Sequence, residues 1–418
     1  MKVLIIGSGA REHAFAWKLA QSPQCERVYS SVSAAAITTA DKIQRNIFGT
    51  GTADKAINFC KSNKIDLVVI GPEAPLAAGM ADDLRAAGIK TFGASAAGAR
   101  LESSKEYSKQ FMQKYNIPTA SYKSFTVLPE ASEYVKTLTP PVVIKADGLA
   151  AGKGVSICAT TEEAQKTLRD FMAVAVFGES GRKVVIEEFL EGREASIIAF
   201  CDGDTYKTLP VSRDHKRLLD GNSGPNTGGM GVYSPVADIT AQDLDFIKTN
   251  VFDNFIKGIK AEGIDYRGII YAGIMKGPDG KINVLEFNAR SGDPETQAIL
   301  PLIKNDLLEI ILACLDKKLA EVNLDFDAAA SVCVTLAGGD YPQSASKGAE
   351  ITGLDNVRDA LVFHAGTQIV NGKIYTNGGR VLSVVAAGEN IEAARAKVYA
   401  EIAKINFEGM QYRKDIGE

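Results

Sequence analysis

Apolar runs of strand length alternate with amphipathic stretches in the first hundred residues. Residues 3–6 and 67–70 are apolar runs, and shorter strands are predicted near residues 28–32 and 91–93. Behind the first run, apolar residues recur with helical spacing at positions 14, 15, 17, 19 and 20. Buried strands that alternate with helices are typical of a doubly wound parallel sheet. The pattern therefore predicts an α/β domain at the start of the chain.

A glycine turn follows both of these apolar runs. Gly9 precedes the first helix, whose N-terminus is available to an anion. A dinucleotide fingerprint would need a glycine where the chain has Glu12, so nicotinamide binding is not expected. Glu73 follows the second run at the carboxyl end of its strand, where open α/β sheets bind ligands. The alternative role for Glu73 is to stabilise a helix N-terminus.

Residues 142–158 show a strand, a glycine-rich loop and a second strand. A β-branched run ends at Lys145, and the loop then carries Gly148, Gly152, Lys153 and Gly154. Glycines let backbone N–H groups turn toward an anion, and lysines neutralise phosphate charge. The loop is not a Walker motif, because glycine follows Lys153. It predicts a flap that binds phosphate, and the alternative is a tight hairpin with solvated lysines.

Two neighbouring segments offer further polar groups. Residues 101–115 predict a helix with Lys105 in its first turn, where a cation opposes the helix dipole unless an anion is bound. Residues 183–194 predict a strand that leads into an irregular segment whose main chain suits a base edge. Glu187 and Glu194 in that segment are candidates to hold an exocyclic amine and a ribose. A solvated acidic turn is the alternative.

A long segment at residues 214–231 is dense in glycine and charged residues, which predicts a functional loop without regular structure. Two strands are then expected on either side of a turn at residues 278–280. Glu286 and Asn288 lie two apart on the second strand and so face the same side. Two such oxygen ligands suit magnesium. Arg290 follows and is placed for a planar contact to phosphate or carboxylate.

Composition narrows the function classes. The 418 residues contain 47 Lys+Arg and 51 Asp+Glu, so there is no basic excess for nucleic acid. Six separated cysteines are typical of reduced core residues, and three histidines disfavour a zinc site. No apolar run approaches the length of a membrane span, and the opening run is too short for a signal peptide. We expect a cytoplasmic protein that acts on small molecules, without nucleic-acid or membrane partners.

Together these segments resemble the ATP-grasp superfamily and, within it, the phosphoribosylamine–glycine ligase (glycinamide ribonucleotide synthetase) family. The resemblance covers nearly the whole chain and is carried by GAREH (9–13), GPEAPL (71–76), KADGLAAGKGV (145–155), DHKR (214–217), NTGGMG (226–231), EFNARSGDPET (286–296), FHAGT (363–367) and TNGGRV (376–381). It implies a doubly wound N-terminal domain (1–101), an ATP-grasp domain (102–325) with a mobile subdomain at about 120–190, and a small C-terminal α/β domain (326–418).

The resemblance also implies a reaction and its cofactors. ATP would phosphorylate glycine to glycyl phosphate, and the amine of 5-phosphoribosylamine would attack it, with Mg²⁺ or Mn²⁺ on the phosphates. The implied catalytic residues are Arg290, Lys145, Asp214 and Lys216. The implied nucleotide contacts are Lys105, Lys145, Gly148, Gly152, Lys153, Gly154, Glu187, Glu188, Leu190 and Glu194. The implied metal ligands are Glu286 and Asn288. The implied substrate contacts are Gly9, Arg11, Glu12, Glu73, Asn226, Thr227, Gly228, Gly229, Asp293 and Glu295.

The chain departs from the family pattern at residues 32–36, where Val-Ser-Ala-Ala-Ala stands in place of a Pro-Gly-Asn-x-Gly loop. We expect this change to weaken binding of phosphoribosylamine and to leave ATP and glycine unaffected. Another ATP-grasp ligase or carboxylase remains an alternative, as does a nucleotide-binding protein without turnover. We expect the chain to act as a monomer.

Overall fold

The computed structural model describes residues 1–31, 41–45, 51–150, 154–174, 176, 178–345 and 347–418. A parallel five-stranded sheet forms the N-terminal part, with strand order β3-β2-β1-β4-β5. Its elements are β1 Lys2–Ile6, α1 Ala10–Ala20, β2 Arg27–Ser30, β3 Ile43–Arg45, α2 Ala53–Asn63, β4 Leu67–Ile70, α3 Glu73–Ala77, α4 Met80–Ala86 and β5 Lys90–Phe92. The predicted doubly wound domain is therefore confirmed.

The helix predicted over residues 101–115 is in fact two helices, α5 Ala96–Ser103 and α6 Lys105–Lys114. Ser104 between them has an extended backbone, and its side chain accepts a hydrogen bond from the Tyr107 N–H. The Ser104 hydroxyl also donates to Asp147 Oδ1 at 3.0 Å. This distant carboxylate stabilises a helix start at Lys105, which the local pattern of apolar residues could not indicate.

A small antiparallel sheet follows, with strand order β6-β9-β7-β8. Its elements are β6 Tyr122–Phe125, α7 Leu128–Lys136, β7 Val142–Ala146, β8 Val155–Cys158, α8 Thr161–Met172 and β9 Val184–Glu188. Ile144 and Ala146 belong to a hydrophobic core that the strands of this sheet form with α7 and α8. Lys145 lies between them on the strand and so faces the other way.

A second antiparallel sheet lies across from the small one, with strand order β11-β10-β16-β17. The elements of this region are β10 Arg193–Cys201, β11 Tyr206–Thr208, β12 Arg213–Asp214, β13 Arg217–Leu219, β14 Ser223–Asn226, β15 Gly231–Ser234, α9 Ala241–Ile247, α10 Asp253–Ala261, β16 Gly268–Lys276 and β17 Ile282–Asn288. The two strands predicted around residues 278–280 are β16 and β17. The prediction that residues 214–231 lack regular structure is wrong, because β13 and β14 pair as a ribbon.

The C-terminal part contains α11 Glu295–Ile299, α12 Leu307–Leu315, β18 Ala330–Ala337, β19 Lys347–Glu350, β20 Leu361–His364, β21 Thr367–Val370, β22 Lys373–Asn377, β23 Arg380–Gly388 and α13 Ile391–Ile402. Its main sheet has strand order β12-β15-β18-β23-β20, and β19, β22 and β21 form a smaller sheet. Strands β12 and β15 come from the central part of the chain, so the two parts share one sheet.

The C-terminal tail explains why residues 217–226 are ordered as a ribbon. Arg413, which is almost fully buried, donates to the Asn222 side chain at 2.9 Å and to the Arg217 carbonyl at 3.2 Å. The Gly221 N–H donates to Asp415 Oδ2 at 2.9 Å. The partners in these contacts are nearly two hundred residues apart in the sequence. The contacts satisfy polar groups of the turn that would otherwise have to hydrogen-bond to water.

All six cysteines are buried and free, as their sequence setting predicts. None of the helices in the described ranges combines the length and apolarity needed to cross a bilayer.

Candidate active site

A buried cluster of two lysines and one carboxylate lies between the two antiparallel sheets. Lys145 Nζ is 2.9 Å from Glu187 Oε1, and Lys109 Nζ is 2.8 Å from Glu187 Oε2. All three residues are at most 5% exposed. Burial lowers the pKa of Lys109 to about 8, although Glu187 acts in the opposite direction. One carboxylate shared by two lysines leaves excess positive charge in this cleft, which favours an anionic ligand.

A β-bulge in β17, a strand of the second antiparallel sheet, brings its main chain to Lys145. Ile274 pairs with Val284 and Gly273 pairs with Glu286, so Leu285 has no residue directly opposite it. The Leu285 carbonyl accepts a hydrogen bond from Lys145 Nζ at 3.1 Å. The bulge therefore links the small sheet to the strand that carries the predicted metal ligands.

Lys105 begins α6 and pairs with Glu286, with 3.2 Å between Lys105 Nζ and Glu286 Oε2. The carboxylate relieves the unfavourable placement of a cation in the first turn of a helix. Lys105 lowers the pKa of Glu286 well below its usual range, and Lys216 and Lys145 add to the effect. Glu286 is thus a strongly stabilised carboxylate surrounded by three lysines.

Glu286 and Asn288 lie on the same face of β17, opposite Gly273 and Tyr271 of β16. Among the residues that the structure describes, no group of three His, Cys, Asp or Glu side chains could hold a metal ion by itself. A carboxylate and an amide oxygen nevertheless fit Mg²⁺, which commonly takes one or two protein ligands and completes its shell with phosphate and water. The donor set therefore fits a metal that is bound together with a nucleotide.

Arg290 connects this strand to the N-terminal domain. Its guanidinium lies 3.0 Å from Glu102 Oε1 and 3.3 Å from Glu73 Oε2. Burial acts against the charge, but Glu102 and Glu73 raise the pKa of Arg290 above its usual value. For Glu73, burial raises the pKa, but Arg290, the Glu73 backbone N–H and Arg11 together outweigh burial, so the net shift is downward. Glu73 is also the first residue of α3, so both roles considered from the sequence meet in one side chain.

The glycine turns of the N-terminal domain enclose Glu12. The Gly9 N–H donates to Glu12 Oε2 at 2.7 Å, and Arg11 Nε lies 2.6 Å from Glu12 Oε1. A Cβ on Gly7 or Gly71 would overlap the Glu12 side chain, so both turns close onto this carboxylate. Arg11 also donates to the Ser291 carbonyl at 3.2 Å. Glu12 stands where a dinucleotide fingerprint has its third glycine. Its side chain therefore fills the space beside Gly7 and Gly71 that a glycine at this position would leave open.

Residues after β17 meet the loop between β14 and β15. Gly229 has φ +109°, and a Cβ on it would lie 2.5 Å from Pro294 Cδ and 2.8 Å from Asp214 Oδ1. Asp214 Oδ1 is buried and has no hydrogen-bond partner in the described part of the chain. Burial raises the pKa of Asp214 well above its usual range, and Glu295 adds to the increase. A cationic ligand group at this oxygen would offset that cost.

Glu295 and Asp293, which follow β17, interact with neighbouring side chains. Glu295 is buried and accepts hydrogen bonds from Tyr271 (2.7 Å) and Ser196 (3.1 Å). Asp293 pairs with Arg380, with 2.8 Å between Asp293 Oδ2 and Arg380 Nη2. These two carboxylates thus fix the geometry of the residues around them.

Lys216 and Glu194 meet at the edge of the cleft, 2.8 Å apart, and Glu194 raises the pKa of Lys216. Thr227 accepts a hydrogen bond from the Gly229 N–H at 3.0 Å and donates to the Lys216 carbonyl at 2.8 Å. Asn226, at the end of β14, pairs with Arg217 in the ribbon.

The base of the predicted flap is fixed to α6. Asp147 accepts hydrogen bonds from the Ser104 hydroxyl and, at 3.1 Å, from the Glu106 N–H. Gly148 lies so close to Ser180 that a Cβ on it would lie 2.5 Å from Ser180 Cβ. The Gly154 carbonyl accepts from the Ala146 N–H and closes the loop. Gly152 and Lys153 lie outside the described residues, as do positions 32–36.

The segment after β9 borders a cavity of about 370 Å³, whose lining includes Tyr134, Leu138, Glu188 and Phe189. Glu188 Oε1 accepts from the Ser121 N–H at 2.7 Å, and the turn that follows contains Leu190. The cavity leaves room beside the main chain that the sequence predicts to contact a base.

The structure adds residues that the sequence did not single out, among them Lys109, Glu102, Tyr271, Tyr341 and Arg380. Lys109 lies one turn after Lys105 on α6, and this spacing could have indicated it. Arg380 belongs to a quoted motif without an assigned role. Nothing local distinguishes Tyr341, whose contact lies 113 residues away in sequence.

Two facing antiparallel sheets, with lysines, a carboxylate and an amide between them, define an ATP-grasp ligase. Family models for the N, ATP-grasp (A) and C domains of phosphoribosylglycinamide synthetase match residues 1–102, 103–296 and 331–418. The chain belongs to the phosphoribosylamine–glycine ligase family.

Individual relatives agree with this assignment. The chain is 47% identical over 420 residues to the phosphoribosylamine–glycine ligase of Neisseria meningitidis serogroup A, with 100% of this chain and 99% of that protein covered. It is also 47% identical over 420 residues to the trifunctional purine biosynthetic protein adenosine-3 of Gallus gallus, where all of this chain matches but only 42% of that protein's length is covered. The crystal structure of a phosphoribosylamine–glycine ligase from Thermotoga maritima superposes with a TM-score of 0.87 at 36% identity, covering 99% of this chain and 100% of that one.

Proposed function

We propose that this chain uses ATP to join glycine to 5-phosphoribosylamine through glycyl phosphate, giving glycinamide ribonucleotide, ADP and phosphate. A glycine carboxylate oxygen attacks the γ-phosphorus and ADP leaves. The amine then attacks the acyl carbon, and phosphate leaves with that glycine oxygen. The observation that carries the proposal is the cleft between the two sheets, where Lys105 pairs with Glu286, Lys145 pairs with Glu187, and both lysines lower the pKa of Glu286.

The nucleotide would lie in this cleft. Lys105 and Lys145 would leave their carboxylate partners and bind phosphate oxygens of the nucleotide, because the polyphosphate carries more negative charge than one carboxylate. Both ammonium groups contact β17, Lys105 at the Glu286 side chain and Lys145 at the Leu285 carbonyl. The flap residues Gly148, Gly152, Lys153 and Gly154 would cover the phosphates, and closure would exclude water that hydrolyses an acyl phosphate.

The base and ribose would follow β9. Main-chain groups at Glu188 and Leu190 suit an adenine edge, and Glu187 and Glu194 would lie near the amine and the ribose. The open space beside Glu188 and Phe189 supports this placement.

A divalent ion would be held by Glu286 and Asn288. When bound, Mg²⁺ or Mn²⁺ would neutralise charge on the phosphates. Both ions accept oxygen ligands of this kind.

Glycine would bind where Arg290 and Asp214 face the end of β17. Arg290 carries a permanent charge held by Glu73 and Glu102, and it would stabilise negative charge on the acyl phosphate. Asp214 Oδ1, which has no hydrogen-bond partner among the described residues, would accept a hydrogen bond from the glycine ammonium group. Lys216, which Glu194 keeps protonated, would add positive charge at the acyl carbon's oxygens.

The phosphoribosyl group would bind against the N-terminal domain, the loop after β14 and the residues after β17. The main chain of Gly9 and the side chains of Arg11, Glu73, Asn226 and Thr227 are proposed contacts. Gly228 and Gly229, whose N–H groups already bond to Tyr341 and Thr227, would shape the loop beside the substrate. Glu12, Asp293 and Glu295 already have partners in the protein, so they would act mainly by shaping these loops. We place the reaction in the cytoplasm and expect a monomer.

The decisive experiment is phosphate release from ATP with glycine and freshly prepared phosphoribosylamine, each omitted in turn. We expect full release only when all three are present, and mass spectrometry should find glycinamide ribonucleotide. Glycine labelled with ¹⁸O in its carboxylate should transfer one labelled oxygen to phosphate. Turnover without label in phosphate would exclude glycyl phosphate. Phosphate release that stays the same when phosphoribosylamine is omitted would exclude phosphoribosylamine as the substrate.

A further inference from the structure

The loop between β14 and β15 is held by two side chains of the C-terminal part. The Gly228 N–H donates a hydrogen bond to the Tyr341 hydroxyl at 2.8 Å. The Gly228 carbonyl accepts from Arg380 Nη1 at 2.6 Å. Both polar groups of this glycine are therefore used by residues more than a hundred positions further along the chain.

Tyr341 is itself held in place. A Cβ on Gly379 would lie 2.5 Å from Tyr341 Cδ2, so the ring packs directly on the Gly379 backbone. The Tyr341 carbonyl accepts from the Gln411 side chain at 3.1 Å, and its N–H donates to the Gly338 carbonyl at 3.1 Å. The hydroxyl is thus presented to Gly228 from a rigid support rather than from a free surface chain.

Arg380 ties the same loop to the residues after β17. Besides Gly228, it donates to the Asp293 carbonyl at 2.9 Å and pairs with the Asp293 carboxylate at 2.8 Å. The loop and the segment that contains Asp293 are therefore kept in register by one guanidinium.

The position of Gly228 decides where Gly229 lies. Gly229 packs between Pro294 and the buried, unpartnered Asp214 Oδ1, with a backbone that only glycine adopts without strain. A shift of the Gly228 peptide would move this wall relative to Asp214.

We propose that Tyr341 is a positioning residue for glycine: its hydroxyl fixes the Gly228–Gly229 backbone against Asp214 and so shapes the subsite for the glycine ammonium group. This inference rests on the proposed function. It makes the C-terminal part a component of the amino-acid subsite, with Tyr341 acting through Gly228.

The test is the Tyr341→Phe variant, which keeps the ring and removes the hydroxyl. Loss of one neutral hydrogen bond predicts a rise of about 2- to 10-fold in the KM for glycine, with the KM for ATP unchanged. Gly379→Ala, which pushes the ring away from its support, should raise the KM for glycine at least as much. Tyr375→Phe is the matched control, because Tyr375 lies on β22 in the smaller sheet.

Hydrogen exchange supplies a readout that does not depend on turnover. The Gly228 amide should exchange faster in Tyr341→Phe than in the parent chain and in the control. If the parent chain shows no glycine-dependent phosphate release, the proposed function fails, while exchange still reports the contact. If the parent chain turns over and Tyr341→Phe has an unchanged KM for glycine, or raises the KM for ATP equally, Tyr341 does not position glycine.

Discussion

Lys105 Nζ lies 3.2 Å from Glu286 Oε2, so the lysine proposed to bind ATP and the carboxylate proposed to bind metal form an ion pair with each other. The ammonium group neutralises the charge that would attract a divalent ion. If Lys105 bound ATP phosphates, Glu286 would lose this partner and its carboxylate could hold a metal. This arrangement favours binding of metal and nucleotide together.

The first prediction concerns metal affinity without nucleotide. Lys105→Met should let the free chain bind Mn²⁺ about 2- to 5-fold more tightly, because a partly exposed ion pair of this kind is worth up to about 1 kcal/mol. Electron paramagnetic resonance of free Mn²⁺ measures this directly. Lys114→Met, on the same helix but paired with Glu262 at the surface, is the control and should change nothing. Equal affinities for all three proteins would show that Lys105 does not compete with the metal.

The second prediction concerns Glu286. Glu286→Gln should remove most ligase activity while the protein stays folded, because the side chain keeps its volume but loses the charge needed for the metal. Phosphate release at saturating magnesium measures the loss. Glu262→Gln, which removes a surface carboxylate, should retain activity. An unchanged rate for Glu286→Gln would exclude it as a metal ligand.

The third prediction concerns the base of the flap. Gly148→Ala should raise the KM for ATP and leave the KM for glycine nearly constant, because its methyl group would meet Ser180 Cβ at 2.5 Å. Overpacking of this kind costs about 1–3 kcal/mol. The double variant with Ser180→Gly should restore the KM, and Ser180→Gly alone serves as the control. A KM for ATP that stays constant in Gly148→Ala would show that this backbone position does not affect the nucleotide.

The fourth prediction concerns two buried histidines between α1 and β20. The His364 backbone N–H donates to His13 Nδ1 at 2.9 Å, so that nitrogen must be unprotonated. Burial lowers the pKa of His364 to about 4, and burial and His364 lower the pKa of His13. Between pH 6.5 and 4 the unfolded chain therefore binds more protons than the folded chain, so stability falls as the pH falls.

Urea unfolding at pH 7, 6 and 5 tests this relation. Below pH 6.5, His364→Asn should lose up to about 1.4 kcal/mol less per pH unit than the parent chain, because one histidine no longer titrates. The difference between the two proteins cancels the contribution of the carboxylates that they share. Parallel stability curves over this range would show that His364 is not responsible.

Much of the fold followed from local pattern. The apolar runs of β1 and β4, the helix behind them and the two strands β16 and β17 are confirmed, because strand and helix periodicity is set by residues close in sequence. The same reasoning placed Glu286 and Asn288 on one face, since side chains alternate along any strand. Gly148 and Gly154 also lie at the ends of a loop, as the glycine pattern predicted.

The tertiary structure decided how these residues are partnered. Lys105 pairs with Glu286, 181 residues away in the sequence. Asp147 accepts a hydrogen bond from the Ser104 hydroxyl and so stabilises the start of α6 at Lys105. Glu187 is shared by Lys109 and Lys145, and residues 217–226 are ordered by Arg413 from the end of the chain. No local periodicity encodes such contacts, because they depend on which faces the packed sheets and helices bring together. The sequence by itself thus determined the elements and the kinds of chemistry they carry. Packing alone decided which charges neutralise one another and which polar atoms, such as Asp214 Oδ1, have no hydrogen-bond partner among the described residues.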